Sequence, residues 1–295
     1  MMNPVHVIEK PGELDALLER LSNVRYVAID TESNSFYAYF EKLCLIQISA
    51  GGEDYILDPL ALKDLEPLGE ILADPGIEKV FHAASNDVLG LKRDFHFKIC
   101  NLFDTAHACK LLGYKQLGLA TILEQHFGVA LDKKWQRHDW ERRPLGREQL
   151  DYARLDTHFL IELRHRLAAD LHARQLWETA KEAFDKACEQ EMQERSFHPE
   201  AFIQIRGARS LDAPGKKILK ALYLYREEEA RKRNRAPFRI LSNDALLRLA
   251  FHRPKDVRDF AQIKGLPRSY QKSHTAQSLL DLIRRAENST GERWH

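Results

Sequence analysis

The chain has 295 residues, 44% hydrophobic and 30% charged, a content that predicts at least one full core and a division into two domains. Met1–Gly12 carries polar and charged breaks instead of a continuous apolar leader, and no later run reaches the ~20 apolar residues of a helical membrane span, so a cytoplasmic protein without a membrane partner is expected. The formal net charge of +1 conceals an asymmetry: residues 201–295 hold 21 Lys+Arg against 10 Asp+Glu, which leaves 24 against 34 for residues 1–200. An acidic segment joined to a basic one points to a polyanionic partner.

Short β-rich runs lead the chain. Tyr26–Asp30, Leu43–Ser49 and Tyr55–Leu57 read as strands, with Gly51-Gly52 as a hairpin turn between the last two. A helix is predicted over Leu62–Leu72, closed by Asp74-Pro75-Gly76, and a further strand over Lys79–His82. From Asp104 to about Arg195 the period is helical, with Leu155, Phe159 and Leu163 four residues apart, and no strand is required. Glu178–Glu194 reads as a solvated helix that Phe197-His198-Pro199 ends. Residues 200 to about 286 then read as an all-helical module, with Pro214-Gly215, Ala236-Pro237, Arg253-Pro254 and Gly265-Leu266-Pro267 between helices, and Asn288–His295 as a fraying tail. The cysteines Cys44, Cys100, Cys109 and Cys188 form no C-x-x-C pair and are expected as reduced thiols.

Five side chains are candidates to carry chemistry, although Asp87 alone also fits a residue that complements a helix dipole, and Tyr152 with Asp156 a solvated surface pair. Asp30 and Glu32 stand two apart where a strand leaves the core, so both can face one cation. A D-x-E of this kind also fits a turn or a solvated edge, and only further acids raise its meaning. Asp87 follows the strand Lys79–His82 in the first turn of a helix that Ser85 or Asn86 would cap. In Tyr152-Ala153-Arg154-Leu155-Asp156 the i, i+4 spacing sets the phenol and the carboxylate on one helical face, with Leu155 and Phe159 free to face the core. Four carboxylates in one pocket raise one another's pKa unless cations neutralise them. Two divalent ions would do so, and hard oxygen ligands favour Mg²⁺ or Mn²⁺ over zinc.

Asp30-x-Glu32, Asp87 after Phe81-His82-Ala83-Ala84, and Tyr152-x-x-x-Asp156 together resemble the ribonuclease D family of DEDDy-type 3′-to-5′ exonucleases. The blocks Leu43–Ser49, Phe103-Asp104-Thr105 and Asp139-Trp140-x-x-Arg143-Pro144-Leu145 follow in the family's order. The resemblance covers most of residues 5–170 and implies an α/β, RNase H-like domain with a mixed sheet. It also implies that Asp30, Glu32 and Asp156 hold a first metal, that Asp30 bridges to a second supported by Asp87, and that Tyr152 orients the water. A free phenol with a pKa near ~10 is a poor base at neutral pH, so positioning is the expected role. After Glu32 the chain runs Ser33-Asn34-Ser35-Phe36-Tyr37, without the aromatic that many bacterial members place there. With Asp156-Thr157-His158-Phe159-Leu160 it is more similar to the exosome-associated branch. Phe36 and Tyr37 are candidates for stacking on a base, or for ordinary packing. His82, His107, His138 and His158 are not assigned as ligands.

The basic segment resembles an HRDC domain through Phe202-x-x-Ile205-Arg206-Gly207, Leu222-Tyr223-x-x-Arg226-Glu227-Glu228-Glu229-Ala230 and Pro237–Leu246. Arg231, Lys232, Arg233 and Arg235 extend beyond what Glu227–Glu229 can pair, which leaves a patch suited to phosphates. One such module is expected, giving residues 1–196 as nuclease, 197–286 as HRDC and 287–295 as tail. The resemblance implies an exoribonuclease acting on RNA with a free 3′ end, tRNA precursors being a candidate substrate. The alternatives are a DNA 3′-to-5′ exonuclease and a non-catalytic nucleic-acid-binding protein. Retention of all five site residues argues against the latter.

Overall fold

The computed structural model describes residues 3–132, 134–191, 197–271 and 274–289. The chain divides into two compact units: Met1–Asn34 with Lys42–Gln193, and Ser35–Glu41 with Glu194–His295. Residues 192–194 of the expected solvated helix and 290–295 of the expected tail lie outside the described residues.

The first unit is built on six strands: β1 (His6–Ile8), β2 (Tyr26–Ser33), β3 (Leu43–Ala50), β4 (Glu53–Leu57), β5 (Glu78–Phe81) and β6 (Leu102–Asp104). Their order is β1-β4-β3-β2-β5-β6, with β3 antiparallel to β2 and β4 and the other neighbours parallel. The mixed sheet matches the expectation. Gly51 and Gly52 both take positive φ, 59° and 82°, in the two-residue hairpin turn, a conformation that favours glycine. Strand β3 is buried along its whole length, its polar residues Gln47 and Ser49 included, covered on both faces as sheets with helices on either side require. One face packs Ile46, Ile48, Tyr55 and Leu57 into the main core; the other packs Cys44, Leu45 and Ile56 against Trp140 and Ala153.

The helices of this unit are α1 (Pro11–Leu21), α2 (Glu66–Ala73), α3 (Ser85–Phe95), α4 (Thr105–Leu111), α5 (Leu119–Phe127), α6 (Arg147–His158), α7 (Leu160–Ala173) and α8 (Trp177–Glu189). The helix expected from Leu62 begins at Glu66, since Leu62 and Leu65 are buried in the preceding turn. The period through Leu155, Phe159 and Leu163 spans two helices that meet at Phe159. Strands β1 and β6, at three residues each, are too short to show a period. The four cysteines are free thiols.

Helix α6 is fastened to the sheet by a buried polar cluster. Asp54 on β4, 2% exposed, accepts from Arg154 Nε at 2.9 Å, from Ser49 Oγ at 2.7 Å and from His158 Nδ1 at 2.8 Å. Arg154 Nη1 donates to the Asn3 carbonyl at 2.7 Å, and Thr157 Oγ1 lies 2.7 Å from Ser49 Oγ. Burial raises the Asp54 pKa, but donation from His158, Ser49 and Arg154 outweighs it and leaves it below the ordinary value.

The second unit packs α10 (Pro237–Ile240), α11 (Asn243–His252) and α12 (His274–Asn288), with 3₁₀ turns at Pro199–Gln204, Ala208–Ser210, Val257–Gln262 and Arg268–Tyr270, around α9 (Ala213–Lys232). Its core includes Leu219, Leu222, Leu246, Leu249, Phe260, Leu280 and Ile283, and Tyr39 of the segment Ser35–Glu41 packs against it. Pro214-Gly215 does not separate helices: it forms the first turn of α9, where Asp212 accepts from the Gly215 N–H at 3.0 Å.

Removing Asp54 strands the buried Arg154 charge, a change that costs about 3–5 kcal/mol. Asp54→Ala is therefore expected to lower the thermal midpoint of the first unit by on the order of 10 °C, while the double variant Asp54→Leu, Arg154→Met, which removes both charges together, loses less. Calorimetry on both variants checks this; equal losses would show that the pairing does not hold α6.

Candidate active site

The middle of the sheet supplies two of the acids. Asp30 and Glu32 sit at the C-terminal end of β2, where Asp30 faces Gln47 and Glu32 faces Leu45 across the antiparallel ladder, and a bulge follows at Glu32/Ser33. Bulges end pairing and redirect side chains, a common device beside active sites. Gln47, fully buried, donates Nε2 to Asp30 Oδ2 at 3.4 Å.

Asp87, 7% exposed, projects from the first turn of α3. Its Oδ1 accepts the Thr31 hydroxyl at 2.6 Å, so the middle residue of D-x-E ties the strand to the helix. Neither Ser85 nor Asn86 caps α3: the N-cap residue is Ala84 and has no side-chain cap. The work is done at a distance by Asp104, whose carboxylate accepts the N–H groups of Ala83 and Ala84, both at 3.0 Å, and of Ala106 and His107 at 2.9 and 3.1 Å. One carboxylate thus satisfies the orphan donors of the turn entering α3, where Ala83 takes φ 60°, and of α4. Sequence reading missed this role. The available signal was an acid placed between the apolar pair Leu102-Phe103 and a helix start.

Tyr152 and Asp156 lie one turn apart on α6, which packs on β2, β3 and β4. The indole of Trp140 stacks on the Tyr152 ring with centroids 6.0 Å apart and planes 25° from parallel. Arg143 holds the segment bearing Trp140: its fork grips Asp58, with Nη2 to Oδ1 at 2.8 Å and Nε to Oδ2, while Nη1 donates to the Trp140 carbonyl at 2.7 Å. Asn34, also fully buried, clamps the end of β2. Its Oδ1 accepts the Lys42 N–H at 2.9 Å and its Nδ2 donates to Glu141 Oε2 at 3.0 Å.

The electrostatics show that these groups share one place. Asp30 is pushed well above the ordinary carboxylate range by burial, then by Asp87, Asp156 and Glu32. Glu32 rises well above its ordinary value through burial, then Asp156 and Asp87. Asp156 is pushed to about 7 by burial and Asp87, and Asp87 to about 7 by burial, against the donation of Thr31. Tyr152 is driven upward by burial and by Asp156, Glu32 and Asp30, so the phenol stays protonated at neutral pH and is a hydrogen-bond donor. The donor set is all hard oxygen, which suits Mg²⁺ or Mn²⁺. Among the described residues no three His, Cys, Asp or Glu side chains already stand in metal-ligating geometry, so the carboxylates are neighbours without being a closed cage.

All five residues read from the sequence as catalytic thus meet in the first unit. His82 is a packed residue, with Nδ1 2.8 Å from Thr105 Oγ1 and Nε2 2.8 Å from the Leu117 carbonyl. Phe36, Tyr37, Arg231, Lys232, Arg233 and Arg235 all belong to the second unit. Tyr37 lies under Arg239, whose guanidinium is 3.7 Å from the ring centroid, whereas Phe36 is exposed. Arg233 pairs with Glu229, a partner one turn back on α9.

Comparison with known proteins places both parts of the chain in families. A 3′-5′ exonuclease family model matches residues 5–172 and an HRDC domain model residues 215–283. The chain is 43% identical over 165 residues to Protein RRP6-like 3 of Arabidopsis thaliana, covering 56% of this chain and 18% of that protein. It is 33% identical over 265 residues to the exosome complex exonuclease RRP6 of Saccharomyces cerevisiae, covering 85% and 36%. The chain therefore spans about a fifth to a third of the length of these curated relatives. Among solved structures, the catalytic core of RRP6 from Trypanosoma brucei (C496S mutant) superposes with a TM-score of 0.88 at 27% identity, covering 97% of this chain and 81% of that one. Escherichia coli RNase D, an exoribonuclease involved in structured RNA processing, gives 0.70 at 26% identity, covering 98% and 76%. With its carboxylates and phenol assembled on the matched segment, the chain belongs to the 3′-5′ exonuclease family in its RNase D-like form, followed by an HRDC domain.

Proposed function

We propose that the chain is a metal-dependent 3′-to-5′ exoribonuclease that hydrolyses the terminal phosphodiester and releases nucleoside 5′-monophosphates. The observation that carries this reading is the set of four mutually repelling carboxylates beside a protonated phenol. Asp30, Glu32 and Asp156 would hold one divalent cation, Asp30 would bridge to a second, and Asp87 would support it. Two such ions, Mg²⁺ or Mn²⁺, supply activation of the attacking water and stabilisation of the leaving oxygen.

The chain's own groups do the rest. Tyr152 would donate its hydroxyl hydrogen and so orient the water's lone pair; held protonated by burial and by its acidic neighbours, it does not act as the base. Trp140, stacked on Tyr152 and anchored through Arg143, keeps the phenol in one orientation. Thr31 fixes Asp87, and Gln47 fixes Asp30. RNA as substrate rests on the names of the relatives, exosome exonuclease and exoribonuclease, and tRNA precursors with unpaired 3′ ends are the substrate we put forward first. The exposed cations Arg231, Lys232 and Arg235 would hold its phosphates.

Digestion of matched 5′-labelled RNA and DNA strands with Mg²⁺, Mn²⁺ or EDTA is the direct test. A metal-dependent ladder on RNA is expected, and Asp30→Asn is expected to cut its rate by at least about 10³-fold, a loss of several kcal/mol, while RNA binding persists. A ladder on DNA alone would replace the substrate assignment. Tyr152→Phe is expected to lower kcat about 10- to 100-fold without changing the shape of the pH–rate profile. A rise of rate with pH that vanishes in this variant would instead make the phenol a base.

The raised carboxylates also fix how stability depends on pH. A carboxylate whose folded pKa lies above its unfolded value contributes stability that is present below the unfolded value and lost as pH rises through the folded one, here from about 4 to above about 7 for Asp87 and Asp156. The metal-free protein is therefore expected to melt lower at pH 8 than at pH 5.5. Asp30→Asn should raise the pH 8 midpoint by at least about 2 °C, and Mn²⁺ should raise it in the wild type but little in the variant. Differential scanning calorimetry checks all three.

A further inference from the structure

The second unit carries an aromatic and basic surface that the hydrolytic site does not use. Three large apolar rings lie open to solvent there: Phe36 is 41% exposed, Phe40 56% and Phe238 49%. Phe36 and Phe238 meet edge to face with centroids 5.6 Å apart, and Tyr39 meets Phe40 at 5.0 Å.

Backbone hydrogen bonds make this one surface. The Phe40 N–H donates to Asn234 Oδ1 at 2.9 Å, the Ala236 N–H donates to the Tyr37 carbonyl at 2.9 Å, and Arg239 Nε donates to the Phe36 carbonyl at 2.6 Å. The segment Ser35–Glu41 is thereby laid along the turn that joins α9 to α10. Tyr39 anchors it from below, packed on the core with its hydroxyl donating to Glu227 Oε1 at 2.5 Å.

The same turn is strongly basic. Arg231, Lys232 and Arg235 are exposed. Of the nearby acids, Glu229 is taken by Arg233 and Glu227 by Tyr39; the exposed Glu228 stands against Arg231, Lys232 and Arg235, so the balance at the surface is positive. Exposed rings are costly to leave in water and normally mark a contact site. Rings beside an excess of cations match a ligand that has flat apolar faces along a polyanionic backbone.

We propose that Phe40 and Phe238, with Phe36 beside them, form a stacking platform for the bases of single-stranded RNA, and that Arg231, Lys232 and Arg235 hold the phosphates alongside. This deepens the exoribonuclease reading and rests on it for the choice of RNA. The rings supply binding that is indifferent to sequence, because every base has a π-face. The cations supply the salt-dependent part.

The test uses full-length protein carrying Asp30→Asn, so that bound strands survive, and measures anisotropy of labelled single strands about 12 nucleotides long, one with bases and one abasic. The parent is expected to prefer the base-bearing strand. Adding Phe40→Ala and Phe238→Ala should weaken that strand's binding at least about tenfold, leave the abasic strand unchanged and keep the salt slope. Phe238→Trp should retain the preference. Unchanged affinity in the alanine variant, or equal loss on both strands, would overturn the platform and leave the rings as a face for another protein. Metal-dependent cleavage of a dinucleotide by protein with Asp30 intact reports on the hydrolytic reading separately, and on correct folding of the Phe variants.

Discussion

The structure depends on holding four carboxylates close enough to repel one another. Asp30, Glu32, Asp87 and Asp156 are each pushed upward by burial, and Asp87 raises each of the other three. Such a cluster works against folding whenever its members are ionised, so the fold must oppose it with rigid, fully bonded supports. Its chemistry follows from the same fact, since charge that is costly without a cation is what gives a cation a reason to bind.

The supports are distributed over every element that reaches the cluster. Asp54 binds Arg154 and His158 and so fixes the face that α6 presents. Asp104 gathers four N–H groups and sets the entry to α3. Thr31 ties β2 to Asp87, and the Asn34, Lys42 and Glu141 clamp closes the strand's far end. The pH response of these supports is opposite to that of the site. Asp54 is held below its ordinary value and loses its contribution as pH falls, whereas the clustered acids Asp87 and Asp156 lose theirs as pH rises.

The carboxylate cluster was legible in the sequence because it combines acids at spacings that strands and helices bring together: two apart on β2, in the first turn of α3, and four apart with a tyrosine on α6. The hairpin was legible from Gly51-Gly52, and the central strand from its β-rich run Leu43–Ser49. The supports were not. Asp54, Arg154 and Asp104 look like ordinary surface charges in sequence, because their partners are tens to a hundred residues away. The membership of Ser35–Glu41 in the second unit was equally hidden, since it depends on hydrogen bonds to the Asn234 side chain and the Ala236 N–H about 200 residues on. Ser85 and Asn86 misled as caps because local propensity gave way to a carboxylate supplied from another strand.

The most direct test of the central claim is calorimetric titration of Mn²⁺ into the metal-free protein at pH 7, in two buffers of different ionisation enthalpy. With carboxylates that titrate near this pH, binding must displace protons. Binding accompanied by proton release is expected, with both abolished in Asp30→Asn. Absence of binding, or binding that releases no protons and survives the substitution, would contradict it.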